Sequence, residues 1–135
     1  MKKKILFICI NNSARSQIAE GFMKSFFSNK YDSYSAGIKP TKINPYAIEV
    51  MNEIGIDISQ QYSKKIDEFK NIRFNIVITV CDNAMETCPY IPGEKVIHKN
   101  FIDPVKINGN KNEKLEFFRK TRDEIKKWIV DKFDE

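Results

Sequence analysis

The chain has 135 residues, enough for one domain with its own core and no disulfide staples, and a single domain spanning 1–135 is expected. At 41% hydrophobic and 30% charged, the composition is that of an ordinary folded globule. No apolar run approaches membrane-spanning length. The run after Met-Lys-Lys-Lys stops at about six residues, too short for a signal peptide, so a cytoplasmic protein is expected.

The net charge of +5 comes from 23 Lys and Arg against 18 Asp and Glu. The lysines are scattered and accompany no nucleic-acid motif, so nucleic acid is not an expected partner. Three cysteines and one histidine form neither a disulfide framework nor a zinc spacing, and no metal is expected.

Lys4-Ile-Leu-Phe-Ile8 reads as a buried strand. From Ser16 to Phe27, Ile18, Phe22 and Phe26 recur at i, i+4 and i+8, the period of a helix face. Tyr31 to Gly37 alternates as a second strand. Asn44 followed by Pro45 marks a helix start, Ala47, Ile48, Met51 and Ile54 its buried stripe, and Gly55 its end. Ile66 and Phe69 suggest a short helical turn. Phe74 to Val80 is the strongest strand, apolar on both faces like a central parallel strand, and Cys81 closes it. Asp82 to Pro92 is a loop or short helix carrying Cys88, and Lys95 to His98 is a fourth strand. A long amphipathic helix from about Glu113 to Phe133 closes the chain, with Arg122 interrupting its apolar stripe and so expected at its edge. This alternation predicts an α/β fold, a four-stranded parallel sheet flanked by helices on both faces.

Chemistry concentrates in Cys9-Ile10-Asn11-Asn12-Ser13-Ala14-Arg15, between a strand's carboxyl end and a helix's amino end. Such a loop gathers backbone N–H groups around one point and binds an oxyanion, helped by the helix dipole. Arg15 adds a two-pronged contact, and the same field favours Cys9 as a thiolate nucleophile. Without G-x-x-x-x-G-K-[ST], the loop is not a nucleotide-binding Walker loop. Ligands of parallel sheets bind beyond the strands' carboxyl ends. Cys9, Cys81 and the Asp103-Pro104 turn all fall there, and Asp103 is a candidate general acid. Cys81 alone reads as core and Cys88 alone says little, but thiols on a flexible loop can exchange disulfides in sequence. His98 is expected to be structural.

Nearly end to end, the chain resembles the thioredoxin-coupled arsenate reductases built on the low-molecular-weight tyrosine phosphatase fold. The motifs are Cys9-x5-Arg15 with Ser16-Gln-Ile-Ala-Glu-Gly21, Tyr34-Ser-Ala-Gly-Ile38, Asn44-Pro45, Gly55-Ile-Asp-Ile-Ser59, Thr79-Val-Cys81, Cys88-Pro89, Phe101-x-Asp103-Pro104 and Arg122-Asp-Glu-Ile125. The resemblance implies that Cys9, cradled by loop residues Ile10 to Ser16, attacks arsenate while Asp103 assists departure of water. Cys81 then attacks Cys9, releasing arsenite, and Cys88 attacks Cys81 to leave a disulfide for thioredoxin. It further implies that Ser16 bonds the Cys9 thiolate and Asn12 braces the loop. A monomer with no bound cofactor is expected, taking arsenate and thioredoxin as partners.

Some relatives hold potassium beside the loop. Asn12, Glu20 and Ser35 match that site, but its aspartate position is Lys64, whose ammonium is expected to replace the ion. Two other readings stay open. A tyrosine phosphatase would use Cys9, Arg15 and Asp103 without the later cysteines, although Val105-Lys106 stands where such enzymes carry aromatic residues. A non-catalytic redox or oxyanion sensor is the third.

Overall fold

The computed structural model describes residues 2–81 and 91–134. Four parallel strands, β1 (Lys3–Ile8), β2 (Tyr31–Ala36), β3 (Ile76–Thr79) and β4 (Lys95–His98), form one sheet in the order β2-β1-β3-β4. The chain steps from β1 to one side for β2, then crosses back to lay β3 and β4 on the other. The order therefore reverses at β1. In a doubly wound sheet the ligand crevice lies at that reversal, beyond the carboxyl ends of the strands. Here those are the ends of β1 and β3, at Ile8 and Thr79.

Alternate residues of a strand face opposite sides, and both sides of β1 are buried. Ile5 and Phe7 join the larger core, where α1 (Arg15–Phe26), α2 (Pro45–Asn52) and α3 (Lys111–Phe133) bring Phe22, Met51, Phe118 and Ile125. Each such side chain contributes about 2–3 kcal/mol on leaving water. Leu6 and Ile8 join Ala36, Phe74 and Val77 in a smaller core, against which Tyr34 and Ile72 pack, with Ile66 and Phe69 from a 3-10 turn (Ile66–Phe69). The expected four-stranded parallel sheet is present. The three α-helices share one face, and among the described residues the short turn helps cover the other.

Local chemistry explains the element boundaries. Asn44 caps α2 by accepting from Tyr46 N, with Pro45 at the first helical position, and Gly55 (φ 80°) lies in the left-handed region just after the helix. α3 starts at Lys111, two residues before the expected Glu113. Asn110 and Glu113 form a capping box that recruits the polar first turn. β3 is shorter than the run from Phe74 to Val80, although backbone bonds continue at both ends, from Asn75 N to Lys4 O (3.0 Å) and from Val80 N to Ile8 O (2.9 Å), with the Asn75 side chain also accepting from Lys4 N (2.8 Å).

Arg122 is buried rather than lying at the edge of α3. Its Nη1 donates to Val50 O (2.9 Å) and Glu53 Oε1 (2.8 Å), and its Nε to Asp123 Oδ1 (2.8 Å). An arginine survives burial here because charged and carbonyl acceptors replace its water, and it ties the end of α2 to α3. Arg119 also grips Glu53, through Nε and Nη2.

Hydrogen bonding from Arg119, with help from Arg122 and against the cost of desolvation, holds the Glu53 carboxyl below its ordinary value of 4.5. A carboxyl depressed in the folded state contributes stability above its unfolded value and loses it as pH falls through the folded one. Glu53→Gln is therefore expected to lower stability at pH 7 and to flatten the loss of stability below about pH 4.5. Urea unfolding across that range checks this, and parallel curves for the two proteins would contradict it.

Candidate active site

The loop between β1 and α1 is held by its carbonyl groups. Ile10 O accepts from Lys39 N (3.0 Å), Asn11 O from Thr41 N (3.3 Å) and Ser13 O from Asn44 N (3.0 Å). Asn12 O accepts from Ser63 Oγ (2.5 Å) and Gln17 Nε2 (3.1 Å). Among the described residues, no N–H of Ile10 to Ala14 donates to any acceptor. In a trans peptide each N–H points opposite to the preceding carbonyl, so carbonyls anchored outward turn the amides inward. Asn12 adopts the left-handed conformation (φ 48°) that folds the loop back on itself. Ala14, the N-cap of α1, supplies no side-chain cap, so the helix's amino end also faces this concavity. Gly37 lies directly beneath: a Cβ there would sit 2.6 Å from Ile10 O and 2.9 Å from Asn12 N.

Cys9 stands at the mouth of this nest as a free thiol, buried to 2% exposure. Its Sγ lies 2.9 Å from Ser16 Oγ, which accepts from Asn12 Nδ2 at 2.7 Å. With that acceptor role taken by Asn12, the Ser16 hydroxyl proton is available for a hydrogen bond to the sulfur. Arg15 is buried as well, with Nη1 donating to Phe101 O (3.2 Å) and Val80 O (3.4 Å). Its Nη2 stands 3.4 Å from Asp103 Oδ2, while Asp103 Oδ1 caps the turn Pro104–Lys106 by accepting from Val105 N at 3.0 Å. The structure thus brings Cys9, Arg15 and Asp103 to one cavity of about 150 Å³, rimmed by Thr41 and Val105. A larger groove of about 460 Å³, between α3 and residues 99–102, lies away from the thiol.

Cys81 is buried just past the end of β3, its Sγ 3.9 Å from the carbonyl oxygen of Ile8, the residue before Cys9. It is disulfide-bonded. Cys88 lies outside the described residues. His98 bridges Thr79 Oγ1 (2.6 Å) and Asn100 Oδ1 (2.5 Å), joining β3, β4 and the following loop. Among the described residues, no cluster of three or more His, Cys, Asp or Glu is placed to hold a metal.

Behind the loop, the Lys64 ammonium is buried 3.6 Å from Glu20 Oε1 and donates to Tyr62 O at 2.6 Å. Burial pushes Lys64 below the usual lysine range, and Glu20 opposes that shift. Glu20 also accepts from Ser35 and Lys24. Sequence reasoning missed the residues that hold the loop's carbonyls, among them Gln17, Lys39, Thr41 and Ser63. Lys39, Thr41 and Ser63 reach backbone oxygens tens of residues away, which no local spacing betrays, and Gln17 reaches back five residues to Asn12 O through a fold of the loop that the sequence does not announce.

The model of the family described as low molecular weight phosphotyrosine protein phosphatase matches residues 4–132. An arsenate reductase of Halalkalibacterium halodurans is 46% identical over 129 residues, covering 95% of this chain and 93% of that protein. A solved arsenate reductase in the oxidized state superposes with a TM-score of 0.80 at 33% identity, covering 96% of this chain and 95% of that one. A thioredoxin-dependent arsenate reductase of Corynebacterium glutamicum gives 0.65 at 26%, covering 95% of this chain and 62% of that one. The chain belongs to the low molecular weight phosphotyrosine protein phosphatase family, and its similarity places it with the members of that family that are arsenate reductases.

Proposed function

We propose that the protein reduces arsenate to arsenite with electrons from its own thiols, regenerated by thioredoxin. The observation that carries this reading is a nucleophilic thiol in an amide nest, with a second cysteine at the end of the neighbouring strand. The nest and Arg15 bind the tetrahedral oxyanion, and Cys9 attacks arsenic. Asp103, delivering a proton to the departing oxygen, lets water leave. Cys81 then attacks the Cys9 sulfur. The sulfur–arsenic bonding pair stays on arsenic, which leaves as arsenite, and a Cys9–Cys81 disulfide remains. Cys88 next attacks Cys81, freeing Cys9 and forming the Cys81–Cys88 disulfide that thioredoxin reduces. Two thiols become one disulfide, matching the two electrons arsenic(V) takes up.

Support comes from the short reach between the ends of β1 and β3, which sets Cys81 Sγ 3.9 Å from the carbonyl oxygen of Ile8, the residue before Cys9. The cavity of about 150 Å³ suits a free oxyanion, and among the described residues no aromatic side chain lines it to grip a phosphotyrosyl ring. Phosphate-ester hydrolysis by the same Cys9, Arg15 and Asp103 is a side activity of this site. The arsenate reductase names of the similar proteins and the thioredoxin dependence of one of them favour reduction over a phosphatase or a sensor.

With thioredoxin, thioredoxin reductase and NADPH, wild type is expected to cycle, while Cys81→Ser and Cys88→Ser stop cycling but still hydrolyse p-nitrophenyl phosphate. Cys9→Ser loses both activities, and Asp103→Asn slows both by about 10²–10⁴-fold. Arsenate turnover that survives Cys81→Ser would contradict the relay.

The Lys64 ammonium occupies the ground beside Glu20 where relatives are expected to place an ion. Replacing sodium by potassium at constant ionic strength should therefore change neither the arsenate reduction rate nor the melting temperature. A rise in either with potassium would overturn this assignment.

A further inference from the structure

We propose that Gln17 and Gln61 form a positioning pair that sets the charge-stabilising power of the Cys9 loop. Neither side chain lines the cavity. Gln17, fully buried, aims its one amide nitrogen at three oxygens: Asn12 Oδ1 (2.9 Å), Asn12 O (3.1 Å) and Tyr62 O (2.9 Å). An amide side chain can flip, exchanging its donor end for an acceptor. Gln61 prevents that flip. Its Nε2 donates to Gln17 Oε1 (2.8 Å) and Gln17 O (3.1 Å), so a reversed Gln17 would set donor against donor and acceptors against acceptors.

The consequence reaches Cys9 by two routes. First, Gln17 holds the Asn12 carbonyl away from the cavity, which turns the Ser13 N–H towards it. Second, Gln17 and Lys64 N (2.8 Å) both hold Asn12 Oδ1, so the Asn12 amide nitrogen points to Ser16 Oγ. Ser16 then keeps its proton for Cys9 Sγ. The left-handed Asn12 is a conformation non-glycine residues adopt only when the surroundings impose it. Residues 61–64 and Gln17 supply that imposition, so the pair is a positioning device and not a catalytic one.

The inference rests on the reading of the loop as an oxyanion site, and the test separates the two. In a Cys81→Ser/Cys88→Ser background only Cys9 can react with iodoacetamide. Gln17→Met keeps the length of the side chain and removes both hydrogen-bonding ends. Its Cys9 alkylation is expected to fall about tenfold at pH 7 and to match the parent at pH 10, where ionisation no longer limits the rate. The inorganic phosphate concentration that half-protects Cys9 should rise about tenfold. Gln61→Leu, which leaves Gln17 in place but free to flip, should show the same pattern at about threefold. If Gln17→Met does not fold, Gln61→Leu carries the test alone. Unchanged rates at pH 7 in a folded variant, or equal losses at pH 7 and pH 10, would overturn the proposal, since the latter is loss of shape rather than of charge stabilisation. Failure of phosphate to protect the parent protein would overturn the oxyanion-site reading instead, with the alkylation comparison still deciding the role of Gln17.

Discussion

Everything in this protein depends on the direction in which one short loop points its peptide groups. Buried amides without partners are costly, so a folded chain seldom leaves several side by side. Here the carbonyls of Ile10 to Ser13 are each satisfied by another part of the chain, while the N–H groups from Ile10 to Ala14 donate to nothing among the described residues. Folding free energy collected elsewhere holds that arrangement, and an anion bound in the loop recovers the missing hydrogen bonds. The binding of a tetrahedral oxyanion is in this sense prepared before the anion arrives, and little reorganisation remains at the moment of reaction.

The sheet topology explains why several distant segments converge on the loop. Because strand order reverses at β1, the segments that follow β2 and β3 both leave the sheet beside Cys9. Lys39, Thr41 and Asn44 come from the first and take the outer carbonyls, and residues 61–64 return to take the rear. Cys81 comes from the second. Asp103, after β4, closes the front by meeting Arg15. With Arg15 and Asp103 both largely buried, their mutual attraction offsets the desolvation of each, and an arriving anion takes over the role of counter-charge to Arg15.

Much of this was legible in the residues. The strand, the Cys9-x5-Arg15 loop and the helix after it announce themselves by period and position, as do Asn44-Pro45 and the strand from Lys95 to His98. Local rules act within a few residues, and those features are local. The start of α3 was within reach, since Asn110 and Glu113 stand at capping-box spacing, but the apolar stripe drew attention to later positions. Arg122 interrupts the apolar stripe of α3, which from the sequence alone argues for the helix edge. Its burial follows from acceptors on α2, more than 60 residues away. The left-handed Asn12, the Gln17–Gln61 pair and the inward Lys64 are likewise products of tertiary contact. The sequence marks Asn12, Glu20 and Lys64 only through resemblance, and it gives no sign of which way their side chains turn.

Oxyanion binding in this protein depends on the inward amides. Adding inorganic phosphate to protein labelled with ¹⁵N, in the reduced state, should move the amide proton resonances of Ile10 to Ala14 downfield, as new hydrogen bonds to the anion form, and slow their exchange with solvent. The strands should be little changed. If those resonances stay in place while phosphate perturbs some other surface, the loop is not an oxyanion nest, and the role assigned here to Cys9 and Arg15 is wrong.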